Sequence, residues 1–330
     1  MTPASDLARL VRVSRLYYEL GETQAEIARR MGLTRAHVSK LLRQARLEGV
    51  VEIRILDRTE PPNDLAAALR DRFGLRAAHL APTLAESEEL TRRRVGRIAA
   101  QVLATTVRNG MIVGVGDGSS VGATADAMEA AGSPISATVV PLCGGFWGAE
   151  GGREPYRRIA DALGATAHGL LAPGLLDDGA TRDALCAHAG IRAITELWAR
   201  LDVAVFGIGG PSWGEGVVGA SALRELEAAQ AVGEVLIAPY DIGGRFVGEL
   251  LRRRTIAFDA RRLSLVPTAI GVANGAAKVV PIVGALGAGV VGTLVTDVDT
   301  AARVLEFAER APANARPIPT STSTPSGGRP

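Results

Sequence analysis

The sequence contains few of the residues on which disulfide frameworks and metal centres depend. Its 330 residues include two cysteines, Cys143 and Cys186, which are far apart and have no metal-ligand spacing. We therefore expect no disulfide framework, no metal site and no metal cofactor. Two isolated cysteines are typical of packing residues in a reducing compartment.

Long apolar runs are also absent. No uncharged apolar stretch is long enough to suggest a membrane span, because glycine and proline interrupt the apolar region near the C-terminus. The N-terminus lacks the apolar core of a signal peptide. These absences predict a cytoplasmic protein with no membrane partner.

The most informative segment is TQAEIARRMGLTRAHVSKLLRQARLEGVVEI, residues 23–53. Within it, Gly32 permits the left-handed backbone that ends a helix, and Thr34 can cap the next helix. Four residues of that second helix recur at i, i+3, i+4 and i+7 and predict a buried face: Val38, Leu41, Leu42 and Ala45. The pattern predicts two short helices that meet at a glycine turn.

The free face of the second predicted helix carries basic and hydroxyl side chains. Such a helix fits the major groove of DNA, with its first residues near base edges and its later cations near phosphates. An ordinary helical hairpin with a solvated face has the same pattern. We favour a helix-turn-helix that binds double-stranded operator DNA and assign the contacts to Gln24, Thr34, Arg35, His37, Ser39, Lys40 and Arg43.

The surroundings of this segment support DNA binding. A preceding helix over residues 7–20 is expected to cover the pair with Leu10, Val13, Tyr17 and Leu20, and VVEIRI after Gly49 alternates like the strand of a small wing. Residues 1–57 carry three more basic than acidic side chains, whereas the whole chain has a net charge of +2. So small an excess of positive charge fits a DNA-binding domain that contacts a few phosphates. Such a domain relies on a dimer or tetramer for its affinity.

Four segments follow from composition. Residues 1–57 form the predicted DNA-binding domain, and 58–64 are a hinge linker in which paired prolines break regular structure. Residues 65–311 form a larger second domain. Residues 312–330, rich in proline, serine, threonine and glycine, are expected to be a disordered tail.

Short apolar runs alternate with helical patterns through the larger domain. The predicted strands are AAHL near Ala77, IVGV near Ile112, TVVPL near Thr138, HGLLA near His168, VAVFGIG near Val203, EVLIA near Glu234, TAIGVA near Thr268 and GTLVT near Gly292. Such runs predict a mostly parallel, doubly wound α/β sheet covered on both faces. In such sheets the ligand lies beyond the carboxyl ends of the strands, where the glycines of this sequence cluster.

The segment GVGDGSSVGAT, residues 114–124, follows one of these strands and precedes a helix expected to start near Ala123. Exposed amides in a glycine loop, with a helix N-terminus behind them, can bind an anion. Ser119 stands where a dinucleotide-binding loop needs glycine, and no acidic residue ends the next strand, so no nicotinamide cofactor is expected. A tight turn without ligand contacts is the alternative.

The motifs together resemble one family. In order they are the head pattern from Gln24 to Ile53, followed by GVGDGSS, VVPLCGG, LLAP, DVAVFGIG, AVGEVLIAPYDIGG, RRRTIAF, GVANGAAK and LVTD. Over about residues 7–310 the chain resembles SorC-type transcriptional regulators, which pair a helix-turn-helix with a sugar-binding domain. That domain is similar in fold to ribose-5-phosphate isomerase and glucosamine-6-phosphate deaminase.

The resemblance implies an effector pocket formed by Gly116, Asp117, Gly118, Ser119, Ser120, Gly144, Gly145, Arg153, Asp241 and Lys278. Two positions depart from the family pattern. Asp117 stands where an aromatic residue is common, and its charge disfavours a phosphate and leaves room for a free sugar or polyol. Arg153 stands where asparagine is common and either binds an anionic group or is solvated. Asp241 and Lys278 are either ligand contacts or loop caps.

The resemblance implies an effector-responsive regulator of a carbohydrate-related operon that needs no cofactor. Residues 65–311 are then expected to bind the effector and to join the subunits of a dimer or tetramer. Its effector is expected to be a sugar, a sugar phosphate or a polyol. The alternative is a DNA-binding protein that retains isomerase- or deaminase-like activity, since a carboxylate and a lysine are the groups such chemistry needs. The four histidines, at 37, 79, 168 and 188, do not cluster in sequence with Asp241 or Lys278, which favours a sensor.

Overall fold

The computed structural model describes residues 3–51, 63–84, 87–131, 133–145 and 154–310. The chain divides into two compact units, Met1–Arg58 and Thr59–Pro330, each with its own core. Within the described ranges, no helix is both long enough and apolar enough to cross a membrane.

The smaller unit contains the predicted helix-turn-helix. Helix α1 spans Pro3–Ser14 and continues as a π-helical turn over Arg15–Glu19, α2 spans Gln24–Met31 and α3 spans Arg35–Leu47. Gly32 ends α2 with φ of 64°, which is the left-handed geometry predicted from the sequence. The core of this unit is built from Leu10, Val13, Leu16, Ile27, Ala28, Val38, Leu41, Leu42 and Ala45.

The π-helical turn changes which residues of the N-terminal helix cover the pair. Leu10 and Val13 are buried as predicted, but Leu16 joins them and Leu20 is 67% exposed. A π turn places more residues in each turn than an α-helix, so the α-helical spacing that predicted Leu20 no longer holds beyond residue 15. The prediction for Leu20 was therefore wrong.

Little of the predicted wing and hinge falls within the described residues. Val50 and Val51 pack against the head core without forming a strand, and residues 52–62, including Pro61 and Pro62, lie outside the described ranges. The predicted linker ran to residue 64, whereas helix α4 already begins at Asn63. An acidic residue in the first turn, here Asp64, favours such a start. The predicted tail, residues 312–330, also lies outside the described ranges.

The described part of the larger unit contains a seven-stranded parallel sheet with strand order β1-β9-β8-β5-β2-β3-β4. A separate antiparallel hairpin is formed by β6 and β7. The strands are β1 Ala77–Ala81, β2 Ile112–Val115, β3 Thr138–Pro141, β4 Thr166–Ala167, β5 Val203–Gly207, β6 Gly233–Val235, β7 Ala238–Tyr240, β8 Thr268–Val272 and β9 Thr293–Asp297.

Helices cover both faces of the sheet. Along β5, Val203 and Val205 point to one core, with α5, α6 and α7, while Ala204 and Phe206 point to the other. This confirms the doubly wound α/β prediction. The helices of this unit are α4 Asn63–Phe73, α5 Glu88–Thr106, α6 Ser119–Asp126, α7 Pro155–Leu163, α8 Gly179–Ala187, α9 Ala189–Leu197, α10 Glu215–Val218, α11 Ala220–Ala228, α12 Glu249–Arg252, α13 Val279–Gly287 and α14 Val298–Arg310.

Three local predictions were wrong. The strand expected near His168 is β4, which ends at Ala167, and residues 168–172 are not in a strand. The run EVLIA is divided between β6 and β7, because Leu236 and Ile237 both have positive φ and turn the chain back. Helix α6 begins at Ser119 rather than near Ala123, directly after the glycine of the preceding loop. Apolar periodicity alone does not locate such turns.

Candidate DNA interface and effector cavity

Helix α3 presents the face predicted to bind DNA. The Thr34 hydroxyl accepts the backbone N–H of His37 at 3.1 Å and so fixes the first turn. One side of the helix is held in the head core by Val38, Leu41, Leu42 and Ala45. The predicted contacts on α3 are all exposed: Arg35, His37, Ser39, Lys40 and Arg43. Arg46 is exposed as well and was absent from the sequence prediction.

Two of the predicted DNA contacts lie outside this exposed face of α3. Gln24 is half-buried as the first residue of α2. Thr34 uses its hydroxyl oxygen as the cap of α3, which leaves its O–H free to donate to a phosphate oxygen. Both side chains therefore lie at helix N-termini, where backbone dipoles favour an approaching phosphate.

The cations of α3 are not neutralised by neighbouring carboxylates. Arg30 on α2 pairs with Glu22, and Arg15 pairs with Glu19. By contrast, no acidic partner among the described residues lies within salt-bridge distance of Arg35, Lys40 or Arg43. Unpaired, exposed cations on a fixed helix face match the charge of a DNA backbone.

The larger unit contains a cavity of about 380 Å³ at the carboxyl ends of β2, β3 and β5. The loop after β2 contributes Asp117, Gly118, Ser119 and Ser120, and Lys278 enters from the segment after β8. The volume is within the ordinary range for small-molecule sites. The carboxyl edge is also where ligands bind in open α/β sheets.

Gly118 shapes the floor of this cavity. Its φ of 109° and ψ of 171° fall in a region that only glycine occupies readily. No side chain caps α6, which starts at the next residue, so the first-turn N–H groups beside Ser119 and Ser120 are left at the cavity wall. Such N–H groups can donate to an anionic or hydroxyl oxygen of a ligand.

Lys278 and Glu234 place opposite charges in the cavity. Burial lowers the pKa of Lys278, while the carboxylates of Glu234 and Glu88 oppose that shift. Burial raises the pKa of Glu234, against the effects of the Ile237 N–H and the Lys278 charge. The Ile237 N–H donates to Glu234 Oε2 at 2.7 Å, and the backbones of Glu234 and Gly209 exchange hydrogen bonds of 2.8 and 3.1 Å. Glu234 is thus held by its own hairpin and by the loop after β5.

Asp117 both caps its loop and lines the cavity. Its Oδ1 accepts the N–H of Gly118 at 2.7 Å, and its side chain is exposed. Capping the loop and contacting a ligand are therefore compatible roles for Asp117. The charged groups of the cavity are therefore two carboxylates, those of Asp117 and Glu234, and one ammonium group, that of Lys278.

Apolar side chains complete the cavity wall. Trp213, Leu236 and Leu251 lie around the polar groups, and the Cys143 thiol is buried among them. Burial raises the pKa of Cys143 to about 12, with a further contribution from the Asp117 carboxylate. The thiol is therefore neutral at physiological pH and is not a nucleophile.

Several predicted pocket residues do not line the cavity. Gly116 is buried behind it, and its N–H donates to the carbonyl oxygen of Val205 at 2.8 Å. Gly144 and Gly145 donate to the carbonyl oxygens of Ile256 and Ala172 at 3.0 and 2.9 Å. These three glycines position neighbouring segments.

The structure does not bring Asp241 to the cavity either. Its carboxylate accepts the backbone N–H of Arg245 at 2.9 Å and the Arg245 Nε at 3.0 Å. The Asp241 side chain is 15% exposed, and the hydrogen bonds from Arg245 occupy most of its capacity to accept others. Arg153, the other charged candidate, lies outside the described residues.

Glu234 and Trp213 are among the cavity residues that the sequence prediction did not include. Glu234 was placed inside a predicted strand, where a single charge in an apolar run was the available signal of a special environment. Trp213 follows the glycine loop after β5, and this loop lies at the same edge of the sheet as the loop after β2. Its position after a strand end was therefore an available signal as well.

The raised pKa of Glu234 predicts a pH-dependent gain in stability on neutralising it. Glu234→Gln keeps an oxygen acceptor for the Ile237 N–H and removes a carboxylate whose charge is disfavoured by burial. A carboxyl group whose pKa is higher in the folded than in the unfolded state stabilises the fold at low pH. This stabilisation is lost as the pH rises through the pKa of the folded state. The variant is expected to melt at a higher temperature than wild type at pH 8, with a smaller difference near pH 4.5.

The control for this experiment is Glu227→Gln, which neutralises an exposed carboxylate on α11. It should melt like the wild type at both pH values. If the advantage of Glu234→Gln grew as the pH fell, the role given to burial would be contradicted.

The head and the cavity together define a class of protein: a DNA-binding unit joined to an α/β domain with a ligand cavity at the carboxyl edge of its sheet. The profile of the family described as "Putative sugar-binding domain" matches residues 57–306. That of sigma-70, region 4, matches residues 12–48, which contain α2 and α3. The chain belongs to the SorC-type family of sugar-binding transcriptional regulators, as its motifs predicted.

Named regulators resemble the chain over nearly its full length. It is 29% identical to the sorbitol operon regulator of Klebsiella pneumoniae over 93% of this chain and 100% of that one. The crystal structure of that full-length regulator superposes with a TM-score of 0.70 and covers 91% of this chain and 99% of the other. The transcriptional regulator LsrR of Klebsiella pneumoniae is 30% identical over 91% of this chain and 93% of its own length. The chain is accordingly a helix-turn-helix transcriptional regulator with a sugar-binding-type domain.

Proposed function

We propose that this regulator controls a carbohydrate-related operon and that a small polyhydroxylated molecule in the cavity sets its affinity for operator DNA. The observation that carries the proposal is the cavity itself, in which Lys278, Glu234 and the start of α6 meet at the carboxyl edge of the sheet. The related regulators include one named for a sorbitol operon and a deoxyribonucleoside regulator of Bacillus subtilis, 28% identical over 88% of this chain and 95% of its own length.

The charges of the cavity favour a neutral sugar or polyol over a sugar phosphate. Hydroxyl groups can donate to Asp117 and Glu234 and accept from Lys278, so they satisfy groups of both signs. A phosphate dianion gains from Lys278 and from the N-terminus of α6 but is repelled by two carboxylates. Trp213 supplies an apolar surface for the carbon face of such a ligand.

Asp117→Asn tests this charge argument. Removing one negative charge beside the α6 N-terminus should strengthen binding of a phosphorylated sugar by about tenfold, since one repulsion of about 1–2 kcal/mol is removed. Binding of the neutral analogue should change by less than about threefold. Isothermal titration with a matched pair, such as sorbitol and sorbitol 6-phosphate, measures both. Equal effects on the two ligands would mean that Asp117 acts as a loop cap only.

A second candidate function is an enzyme that moves a proton on a sugar. Glu234 and Lys278 favour it, because burial shifts both pKa values toward neutrality within one cavity. We nevertheless propose a sensor, because Asp241, the other carboxylate considered for this chemistry, is engaged by Arg245. NMR of the bound ligand distinguishes the two, since only an enzyme exchanges carbon-bound hydrogen with deuterium or forms product.

We further propose that effector binding shifts the population of two arrangements of a dimer or tetramer. The DNA-binding domain comprises residues 1–57, and the hinge that follows it ends before α4, which begins at Asn63. Residues 65–311 belong to the effector and oligomerisation domain, and residues 312–330 form a tail. A ligand that binds the two arrangements with different affinities changes their ratio. The change in ratio alters how the two DNA-binding domains of a dimer are positioned on two half-sites of the operator. The two-domain layout is supported by the separate cores: helices α1 to α3 share one core, and the sheet and its helices have their own.

The experiment that identifies the effector uses Trp213 as a reporter. A panel of free sugars, polyols and sugar phosphates is screened by thermal shift, and each ligand that stabilises the protein is titrated against tryptophan fluorescence. A saturable change that disappears in Trp213→Phe assigns the ligand to this cavity. No stabilisation by any member of the three classes would contradict the proposed effector chemistry.

A further inference from the structure

The larger unit contains a second cavity, of about 470 Å³, that shares only Leu236 and Ile237 with the cavity already described. It lies between α11, α12 and residues 255–261, with Arg182 of α8 at its wall. Lys278, Asp117 and the α6 loop do not line it. The two-residue turn between β6 and β7 is therefore the wall that separates two distinct spaces.

That dividing wall has a constrained conformation. Leu236 and Ile237 have φ of 52° and 64°, and a β-branched residue such as Ile237 rarely adopts this geometry. The Glu234 carboxylate holds the turn by accepting the Ile237 N–H. A turn fixed in this way keeps the second cavity separate from the first.

Most of the charged groups around the second cavity already have partners. The carboxylate of Glu225 accepts the N–H groups of Glu249 and Leu250 at 2.8 and 3.0 Å and so caps α12. Arg261 donates two hydrogen bonds of 2.8 Å to the Asp259 carboxylate. Glu249 similarly accepts from both Arg252 and Arg253. These groups have little capacity left for a ligand.

Arg182 is the exception. Its side chain is 28% exposed, and its hydrogen bond among the described residues runs from Nη1 to its exposed neighbour Asp183. Its Nε is shielded from solvent and donates to no acceptor in the described ranges. A guanidinium with spare donors beside a partly desolvated space favours an anionic acceptor, and its planar donor geometry suits a carboxylate.

Beside Arg182 and these paired charged groups, part of the cavity lining is apolar. Phe258 is 3% exposed, and Phe246, Leu236 and Pro239 surround the same space. This apolar part suits a hydrocarbon or aromatic body. The cavity differs from the first in combining two phenylalanines with an arginine that has spare donors.

We infer that this second cavity binds a small carboxylic acid with an aryl or branched alkyl body, its carboxylate on Arg182 and its apolar body between Phe246 and Phe258. The site adds a second ligand class to the regulator. It does not depend on the identity of the ligand in the first cavity.

The test uses 4-fluorophenylacetate, observed by ¹⁹F NMR with the full-length protein, and the corresponding amide as the uncharged control. Saturable binding of the acid is expected, with at least about tenfold weaker binding of the amide. Arg182→Gln should weaken binding of the acid by about tenfold. Arg192→Gln, which removes an exposed arginine of α9, should leave it unchanged.

A steric pair of variants locates the probe. Ala229→Phe places a ring in the cavity lining and should abolish binding, whereas Ala228→Phe, on the exposed side, should not. Lys278→Met should bind the probe like wild type. The proposal is overturned if the acid shows no saturable binding to the folded wild type. It is also overturned if Lys278→Met loses the probe while Ala229→Phe retains it, which would place the probe in the first cavity.

Discussion

Alanine at Arg35 or Lys40 is expected to weaken binding to the operator by about 1–3 kcal/mol each, or about 5- to 150-fold. Both cations lie on the exposed face of α3, Arg35 in its first turn and Lys40 in its second, and have no acidic partner among the described residues. The loss should be largest on the preferred sequence and small on unrelated DNA, because a base contact contributes only at the correct base. Fluorescence anisotropy with an operator selected from a random duplex library measures both affinities.

Arg43→Ala should behave differently, because Arg43 lies one turn further along α3. As a phosphate contact, it should weaken binding to all sequences by similar factors and reduce the slope of log K against log salt by about one. If this variant relaxed sequence preference without changing the salt slope, the roles of Arg43 and the two earlier cations would need to be exchanged.

The matched control for all three variants is Arg15→Ala. Arg15 is exposed, belongs to the π-helical turn and pairs with Glu19 at 3.8 Å. Its removal should change operator affinity by less than about twofold. A loss as large as that of Lys40→Ala would mean that α3 is not the principal DNA-binding element.

Lys278→Met is expected to weaken effector binding by about 10- to 100-fold. A hydrogen bond from a charged donor contributes about 1.5–3 kcal/mol, and in this cavity Lys278 is the cationic side chain among the described lining residues. Methionine fills a similar volume, and the lowered pKa of Lys278 shows that burial already disfavours its charge, so the fold should persist. Titration of Trp213 fluorescence measures the affinity, and thermal melting checks the fold.

The composition provides an independent check on both sites. Lys40 and Lys278 are the two lysines of the sequence, and each lies in a different proposed site. Acetylation followed by mass spectrometry should therefore show protection of Lys40 by operator DNA and of Lys278 by effector. Protection of Lys278 by DNA alone, or of neither lysine by its ligand, would contradict the assignment.

The DNA-binding unit was predictable because its information is local. Gly32 requires a left-handed backbone, Thr34 caps the helix that follows, and the apolar spacing of α3 defines its buried face. Thr23 and Glu26 also form a capping box, which the T-x-x-E pattern of residues 23–26 indicates. The π-helical turn over Arg15–Glu19, which buries Leu16, was not predictable in this way, because apolar spacing at the α-helical period does not indicate a π turn.

The sheet was predictable from strands that are apolar on both faces, but the cavity was only partly so. Ser119, Ser120 and Lys278 meet because they follow strands β2 and β8 of one parallel sheet. Glu234 reaches the same space through a hairpin outside that sheet, and no periodicity indicates its direction. Asp241 is close in sequence to Glu234, yet Arg245 engages it elsewhere, which depends on a local turn.

The most direct test of the account is the affinity for operator DNA with and without a saturating concentration of the stabilising sugar or polyol, in wild type and in Lys278→Met. We predict that the ligand changes the wild-type affinity by at least about fivefold, the lower end of ordinary allosteric coupling, and leaves the variant unchanged at the same concentration. The account would be contradicted if a saturating concentration of this ligand changed neither the DNA affinity nor the oligomeric state of the wild type.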